Sequence, residues 1–182
     1  MVRLIVLNGP PGVGKSTIAQ RYVDDHPMAM NLDIDSLRRL LGRWRDDVTQ
    51  AGLLARSMSL TMAREHLGNG YDVVVPQYLG NPQFLLQAEA VATETGARFV
   101  EIMLMDDRDE VVRRFNERTA RAQTPTHVDA GGYVAELGGD NLLFTMYDRL
   151  VLVLSARPAT QVVQCPEGAQ DAAYARVREL AG

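Results

Sequence analysis

Gly9-Pro10-Pro11-Gly12-Val13-Gly14-Lys15-Ser16-Thr17 follows the apolar run Leu4-Ile5-Val6-Leu7 and opens onto a segment with Ile18, Ala19, Tyr22 and Val23 at helical spacing. Gly9, four residues, then Gly14-Lys15-Ser16 is the spacing of a phosphate-binding loop between a first buried strand and a first helix. The residue types suit that chemistry. Glycines let backbone N–H groups turn inward around a polyphosphate, the lysine ammonium reaches its outer phosphates, and the serine hydroxyl can ligate Mg²⁺. The following helix points its positive end at the same anion. Gly9, Gly12, Val13, Gly14, Lys15, Ser16 and Thr17 are therefore the expected nucleotide contacts. Lys15 is the sole lysine of the chain, every other basic side chain being an arginine.

Composition narrows the field. A chain of 182 residues with a net charge of −4 is read as one domain, residues 1–182, with no general basic field to hold a nucleic acid or an anionic membrane. Cys165 stands alone, so neither an internal disulfide nor a cysteine zinc cluster can form. The apolar N-terminal run is too short for a signal peptide, and no stretch approaches the roughly eighteen apolar residues of a membrane span. A cytoplasmic, soluble protein is the expectation.

Short β-rich runs alternate with longer helical periods, the pattern of an α/β fold in which helices cover a parallel sheet. Strands are predicted near residues 2–8, 28–32, 72–76, 98–105 and 160–164. Helices are predicted near 15–25, 35–41, 48–68, 82–95, 108–122, 129–137, 140–155 and 168–180. Ligands of such sheets gather beyond the carboxyl ends of the strands, which directs attention to the residues just after each one.

The second strand ends in Asn31-Leu32-Asp33-Ile34-Asp35-Ser36-Leu37-Arg38-Arg39. Phosphate loop and Asp-x-Asp together resemble the small P-loop kinases: shikimate, gluconate and adenylylsulfate kinases, the last sharing Leu-Asp-x-Asp-x-x-Arg. Ile34-Asp35-Ser36-Leu37 also resembles chloramphenicol phosphotransferase. The resemblance implies a three-layer P-loop fold, a five-stranded parallel sheet in the order 2-3-1-4-5, helices on both faces and a helical lid over about residues 108–128. It implies ATP and Mg²⁺ as cofactors and a small-molecule hydroxyl as acceptor. Asp35 would take the hydroxyl proton and Asp33, with Ser16, would hold the metal. Either aspartate can instead cap the helix that starts near Ser36.

The third strand departs from the family pattern. It reads Val73-Val74-Val75-Pro76-Gln77-Tyr78-Leu79-Gly80, without the usual carboxylate or glycine cluster. The metal work then falls on Ser16 and Asp33, or Gln77 and Tyr78 contact the acceptor. Asp106-Asp107, after the fourth strand, looks superficially like a Walker B end but is read as an N-cap with Glu110 completing the first turn.

Arg114, Arg118 and Arg121 fall on one helical face in a segment resembling the lid helix of these kinases. There Arg118 would act on the transferring phosphoryl group and Arg121 on the acceptor, while Arg114 and Pro166 would flank the purine. The competing reading is a solvated face laced by Glu110 with Arg114 and Glu117 with Arg121. Arg38 is a further candidate for the acceptor, His127 is read as a polar loop residue, and Trp44 either stacks on a substrate ring or packs.

A GTP switch needs a lysine in its guanine-reading motif, and none follows Lys15. A motor ATPase would want a firmer Walker B end, and a polynucleotide kinase a basic surface. Phosphoryl transfer from ATP to a hydroxyl of a small metabolite or antibiotic is the first reading. A nucleoside or nucleotide kinase, with Arg38 and Arg39 on a monophosphate, and a nucleotide-bound regulator without an acceptor are the alternatives.

Overall fold

The computed structural model describes residues 1–121 and 125–182, the side chains of 125–127 excepted. Five parallel strands form one sheet in the order β2-β3-β1-β4-β5. They are β1 (Arg3–Asn8), β2 (Met30–Asn31), β3 (Val73–Pro76), β4 (Arg98–Met105) and β5 (Gln161–Gln164). Between and after them run α1 (Lys15–Asp25), α2 (Ile34–Arg39), α3 (Val48–Gly68), α4 (Gln83–Thr95), α5 (Arg108–Arg121), α6 (Pro125–Glu136), α7 (Asp140–Ala156) and α8 (Gln170–Ala181). This is the P-loop kinase fold that the sequence resemblance implies.

The strands read as unbroken apolar runs because helices cover both faces of the sheet. Successive side chains alternate between the two cores. Leu4, Val6, Val73, Val75 and Met103 pack with α3, α4 and the second half of α7, while Ile5, Leu7, Val74, Ile102 and Leu104 pack with α1 and α8. A smaller cluster, Val112, Phe115, Val134 and Leu143, joins α5, α6 and the start of α7 beyond the strand ends. The helices beyond the strand ends thus have their own modest core.

The predicted elements are found, with differences at the ends. The second strand pairs with β3 only through Met30 and Asn31, because Asp33 already turns the chain into α2. That helix stops at Arg39, earlier than predicted, and a 3-10 turn at Trp44–Asp47 follows Arg43, whose backbone is left-handed at φ 54°. The helix expected at 129–137 begins at Pro125. Among the described residues, no helix is long and apolar enough to cross a membrane.

Candidate active site

The phosphate loop leaves β1 at the centre of the sheet, where two features fix its path. Asn8 is fully buried and binds across to the loop after β3: its Oδ1 accepts from the N–H of Gly9 (2.8 Å) and of Leu79 (2.9 Å), and its Nδ2 donates to the Leu79 carbonyl (3.1 Å). Gly12, at φ 93°, lies so close to α5 that a Cβ would come within 3.1 Å of the Phe115 nitrogen and the Val111 carbonyl. Only glycine accepts both that backbone and that approach. The loop is thereby held between the end of β3 and α5.

Lys15 Nζ donates to the carbonyls of Gly9 (2.8 Å) and Pro10 (2.9 Å), and no described carboxylate pairs with it. Burial, aided by the nearby Arg118 guanidinium, pulls its ammonium down to about 7, against an opposing pull from Asp35 and Asp33. Helix α1 begins at this point with Gly14 as its N-cap, no side-chain cap and no acidic residue in its first turn. Its free N–H groups and the adjoining ammonium form an anion cradle with no anion supplied by the described protein groups. Ser16 and Thr17 are exposed beside it.

The two aspartates of the Asp-x-Asp pair occupy different positions. Asp33 is the N-cap of α2: Oδ1 accepts from the N–H groups of Asp35 (2.9 Å) and Ser36 (3.4 Å), and Oδ2 from the Ser36 hydroxyl (2.8 Å). Asp35 lies in the first turn and meets Arg38 at 3.3 Å. The Arg38 guanidinium lies 4.7 Å and that of Arg45 4.5 Å from the centre of the Trp44 ring. Of the two roles open to Trp44, packing beneath arginines is the one the structure shows.

At the end of β3, Gln77 donates its N–H to the Leu7 carbonyl and is buried with its Oε1 unpartnered. The Tyr78 hydroxyl donates to the Met146 carbonyl (3.2 Å), and burial pushes its pKa up.

Helix α5 departs from the sequence reading in its ion pairs. Asp107 is the N-cap of α5, accepting from Asp109 (2.9 Å) and Glu110 (3.3 Å). Asp106 instead pairs with Arg114 at 2.7 Å, both being nearly buried. The expected Glu110–Arg114 pair is replaced by Glu110–Arg113, and Arg113 also meets Glu117 and Glu167. Arg114 reaches the Cys165 carbonyl at 3.1 Å, next to exposed Pro166.

Arg118 is partly buried near Lys15, and its Nε is unpartnered; burial draws its pKa down. It has no carboxylate partner among the described residues. Arg121 is exposed, 3.7 Å from Glu117, whereas Arg114 and Arg118 are partly buried. The His127 side chain lies outside the described residues. Sequence reasoning missed Asn8, although a polar side chain ending an apolar strand just before Gly9 was a usable signal.

Residues 4–132 match the family described as AAA domain. The chain belongs to that family. An uncharacterized protein of Mycobacterium tuberculosis, Rv2004c, is 34% identical over 115 residues, 55% of this chain and 22% of the relative. The chain therefore spans about a fifth of the length of that relative. The adenylate kinase of Rhizobium etli is 30% identical over 141 residues, 69% of this chain and 62% of that one. Among solved structures, the Mycobacterium tuberculosis APS kinase CysC superposes with a TM-score of 0.65 at 19% identity, covering 98% of this chain and 96% of its own. The gluconokinase of Sinorhizobium meliloti does so with 0.60 at 17%, covering 97% and 92%. These likenesses extend over nearly the whole chain and establish the kinase-type fold.

Proposed function

We propose that the protein transfers the γ-phosphoryl group of ATP to a hydroxyl of a small metabolite or antibiotic. The observation that carries this reading is the convergence, at one edge of the sheet, of an uncapped helix start, a lysine without a carboxylate partner, and Arg118 with a buried unpartnered nitrogen. Buried cationic and N–H groups without partners are costly unless a ligand completes them, and a polyphosphate does.

Gly9, Gly12, Val13, Gly14, Ser16 and Thr17 wrap the phosphates, Lys15 reaches the transferring group, and Arg118 offers a planar fork to its oxygens. Arg114 and Pro166 flank the adenine. Asp35 accepts the proton of the acceptor hydroxyl as its oxygen forms the new bond to phosphorus and the bond to the leaving ADP oxygen breaks. Arg38, Gln77, Tyr78 and Arg121 are assigned to the acceptor side.

The exposed Ser16 hydroxyl suits a metal that arrives on a polyphosphate, and no cluster of three His, Cys, Asp or Glu suited to a resident metal occurs among the described residues. Bound Mg²⁺ would neutralise phosphate charge there, held by Ser16 with Asp33 behind it through water.

A nucleoside monophosphate acceptor is the second reading, favoured by the similarity to the Rhizobium etli enzyme and by the unpartnered buried nitrogens of Arg38 and Arg39. Incubation with γ-labelled ATP, AMP and a panel of hydroxylated metabolites and antibiotics tests both. Asp35→Asn should keep nucleotide affinity and lower turnover by about 10² to 10⁴, the range for a positioned base. Normal turnover by that variant removes the base assignment, and hydrolysis without any labelled acceptor product removes the transfer reading.

A further inference from the structure

Trp44, the sole tryptophan of the chain, carries two guanidiniums on one partly buried ring, that of Arg38 at 4.7 Å and that of Arg45 at 4.5 Å from its centre. Two like charges on one ring repel unless each has its own counter-charge. Each does. Arg38 meets Asp35 at 3.3 Å, and Arg45 meets Asp129 of α6, 84 residues further along, at 2.5 Å. Carboxylate, guanidinium, indole, guanidinium and carboxylate thus follow one another from the candidate base on α2 to α6.

The far end of this chain is unlike an ordinary surface pair. The Arg45 side chain is 67% exposed, yet that of Asp129 is 9% exposed, and its second oxygen, Oδ2, is buried without a partner. A nearly buried carboxylate left unpaired is costly, so Asp129 holds its arginine more firmly than the exposed Arg43–Asp46 pair of the same turn holds its members. Among the described residues it is also the one ion pair that ties α6 to the α2 side of the site. Asp129 is in turn placed by α5. Gly131, two residues on, lies so close to that helix that a Cβ would come within 2.3 Å of Thr119 Cγ2. Thr119 adjoins Arg118, the guanidinium near Lys15 whose Nε is unpartnered. An anion in the phosphate loop draws Arg118 toward itself, and the close packing at Gly131 passes that displacement to α6.

We infer that Trp44 is a positioning residue: it holds Arg38, and through it the Asp35 carboxylate, in a place that depends on α6, which itself responds to whether the phosphate loop is filled. This rests on the phosphoryl-transfer reading above for the roles of Asp35 and Arg118. The candidate base then takes its working orientation only with the nucleotide in place, so a hydroxyl is activated only where a phosphoryl donor is waiting. Cutting the chain at Asp129 should leave nucleotide binding intact and uncouple Asp35 from it.

Because Trp44 is the sole tryptophan, its emission reads the middle of the chain directly, and acrylamide, an uncharged quencher, measures how well the guanidiniums cover the ring. In the nucleotide-free protein Asp129→Asn should raise the quenching constant about two- to fivefold, the population change that one cation–π contact at an exposed site controls. Asp35→Asn should raise it too, since it cuts the same chain at its other end, whereas Glu94→Gln, which breaks the Arg64 pair between α3 and α4, leaves it unchanged. Mg²⁺–AMPPNP should change the constant in wild type and not in Asp129→Asn, although both bind the nucleotide with like affinity. A merely structural Asp129 would shift the constant without removing its response to nucleotide; that outcome, or a constant that Asp129→Asn does not move, overturns the inference. If Asp129→Asn does not fold, Arg45→Gln at the exposed end of the pair cuts the same link, and a nucleotide response it retains overturns the inference equally. Failure of wild type to bind Mg²⁺–AMPPNP overturns the phosphoryl-transfer reading instead. The nucleotide-free Asp35→Asn, Asp129→Asn and double variants then still decide the link, because effects that simply add would show two separate contacts and no chain.

Discussion

Nucleotide binding should draw a proton onto Lys15. In the folded chain this ammonium is pulled from its ordinary 10.5 to about 7 by burial first and by Arg118 second. The unfolded chain keeps its proton up to about 10.5, so between these values the unfolded state binds more protons and this group makes stability rise with pH. Below about 7 both states are protonated and the penalty is fully present. A polyphosphate reverses the balance by supplying opposite charge next to Nζ. From a value of about 7, about half of the empty loops are neutral at pH 7, about nine in ten at pH 8 and about one in ten at pH 6. Binding of Mg²⁺–AMPPNP should then take up about 0.1, 0.5 and 0.9 proton at pH 6, 7 and 8, and affinity should fall toward tenfold per pH unit above pH 7. Calorimetry in two buffers of different ionisation enthalpy measures the uptake. Lys15→Arg, which stays charged throughout, reports the nucleotide's own titration, and Lys15→Met serves if the guanidinium does not fit between the Gly9 and Pro10 carbonyls. Equal uptake by wild type and both variants at all three pH values would refute the reasoning.

Further substitutions, at Asp33 and Asn8, separate structure from chemistry at the same edge. Asp33→Ala removes the cap of α2 and should cost about 1 kcal/mol in denaturant unfolding, whereas Asp33→Asn keeps a capping oxygen and should leave stability nearly unchanged while raising the Mg²⁺ concentration for half-maximal turnover. If Asn leaves the Mg²⁺ requirement untouched, Asp33 is a cap only. Asn8→Ala leaves the buried N–H groups of Gly9 and Leu79 without their acceptor, and at about 1–3 kcal/mol for each unsatisfied group it should cost at least about 2 kcal/mol. Thermal and denaturant unfolding check it, and a loss under 0.5 kcal/mol, about the noise of a surface substitution, would show that water replaces the Asn8 oxygen.

What was legible in the sequence was what local physics decides. The strand, loop and helix around Lys15 each follow from residues within about ten positions, and the alternation of Leu4 to Leu7 between two cores follows from the two-residue period of a strand. Choice of partner was not legible. On α5, Glu110 can reach a residue three or four along with equal ease, and it takes Arg113 because Arg114 is drawn inward to Asp106 and the Cys165 carbonyl. The same ambiguity surrounds Asp33, since an aspartate just after a strand and three residues before a serine is placed equally well for a metal or a cap. A cavity beyond β3 lies furthest from sequence logic. Arg56 and Arg149 belong to helices separated by about half of the chain, with no motif around either, and only the fold brings both to the lining of one cavity. The phosphate loop must present the same polyphosphate whatever the acceptor, so its spacing is written locally. A cavity between helices is lined by side chains that any helix can carry, and which of them meet depends on the fold and not on any local spacing.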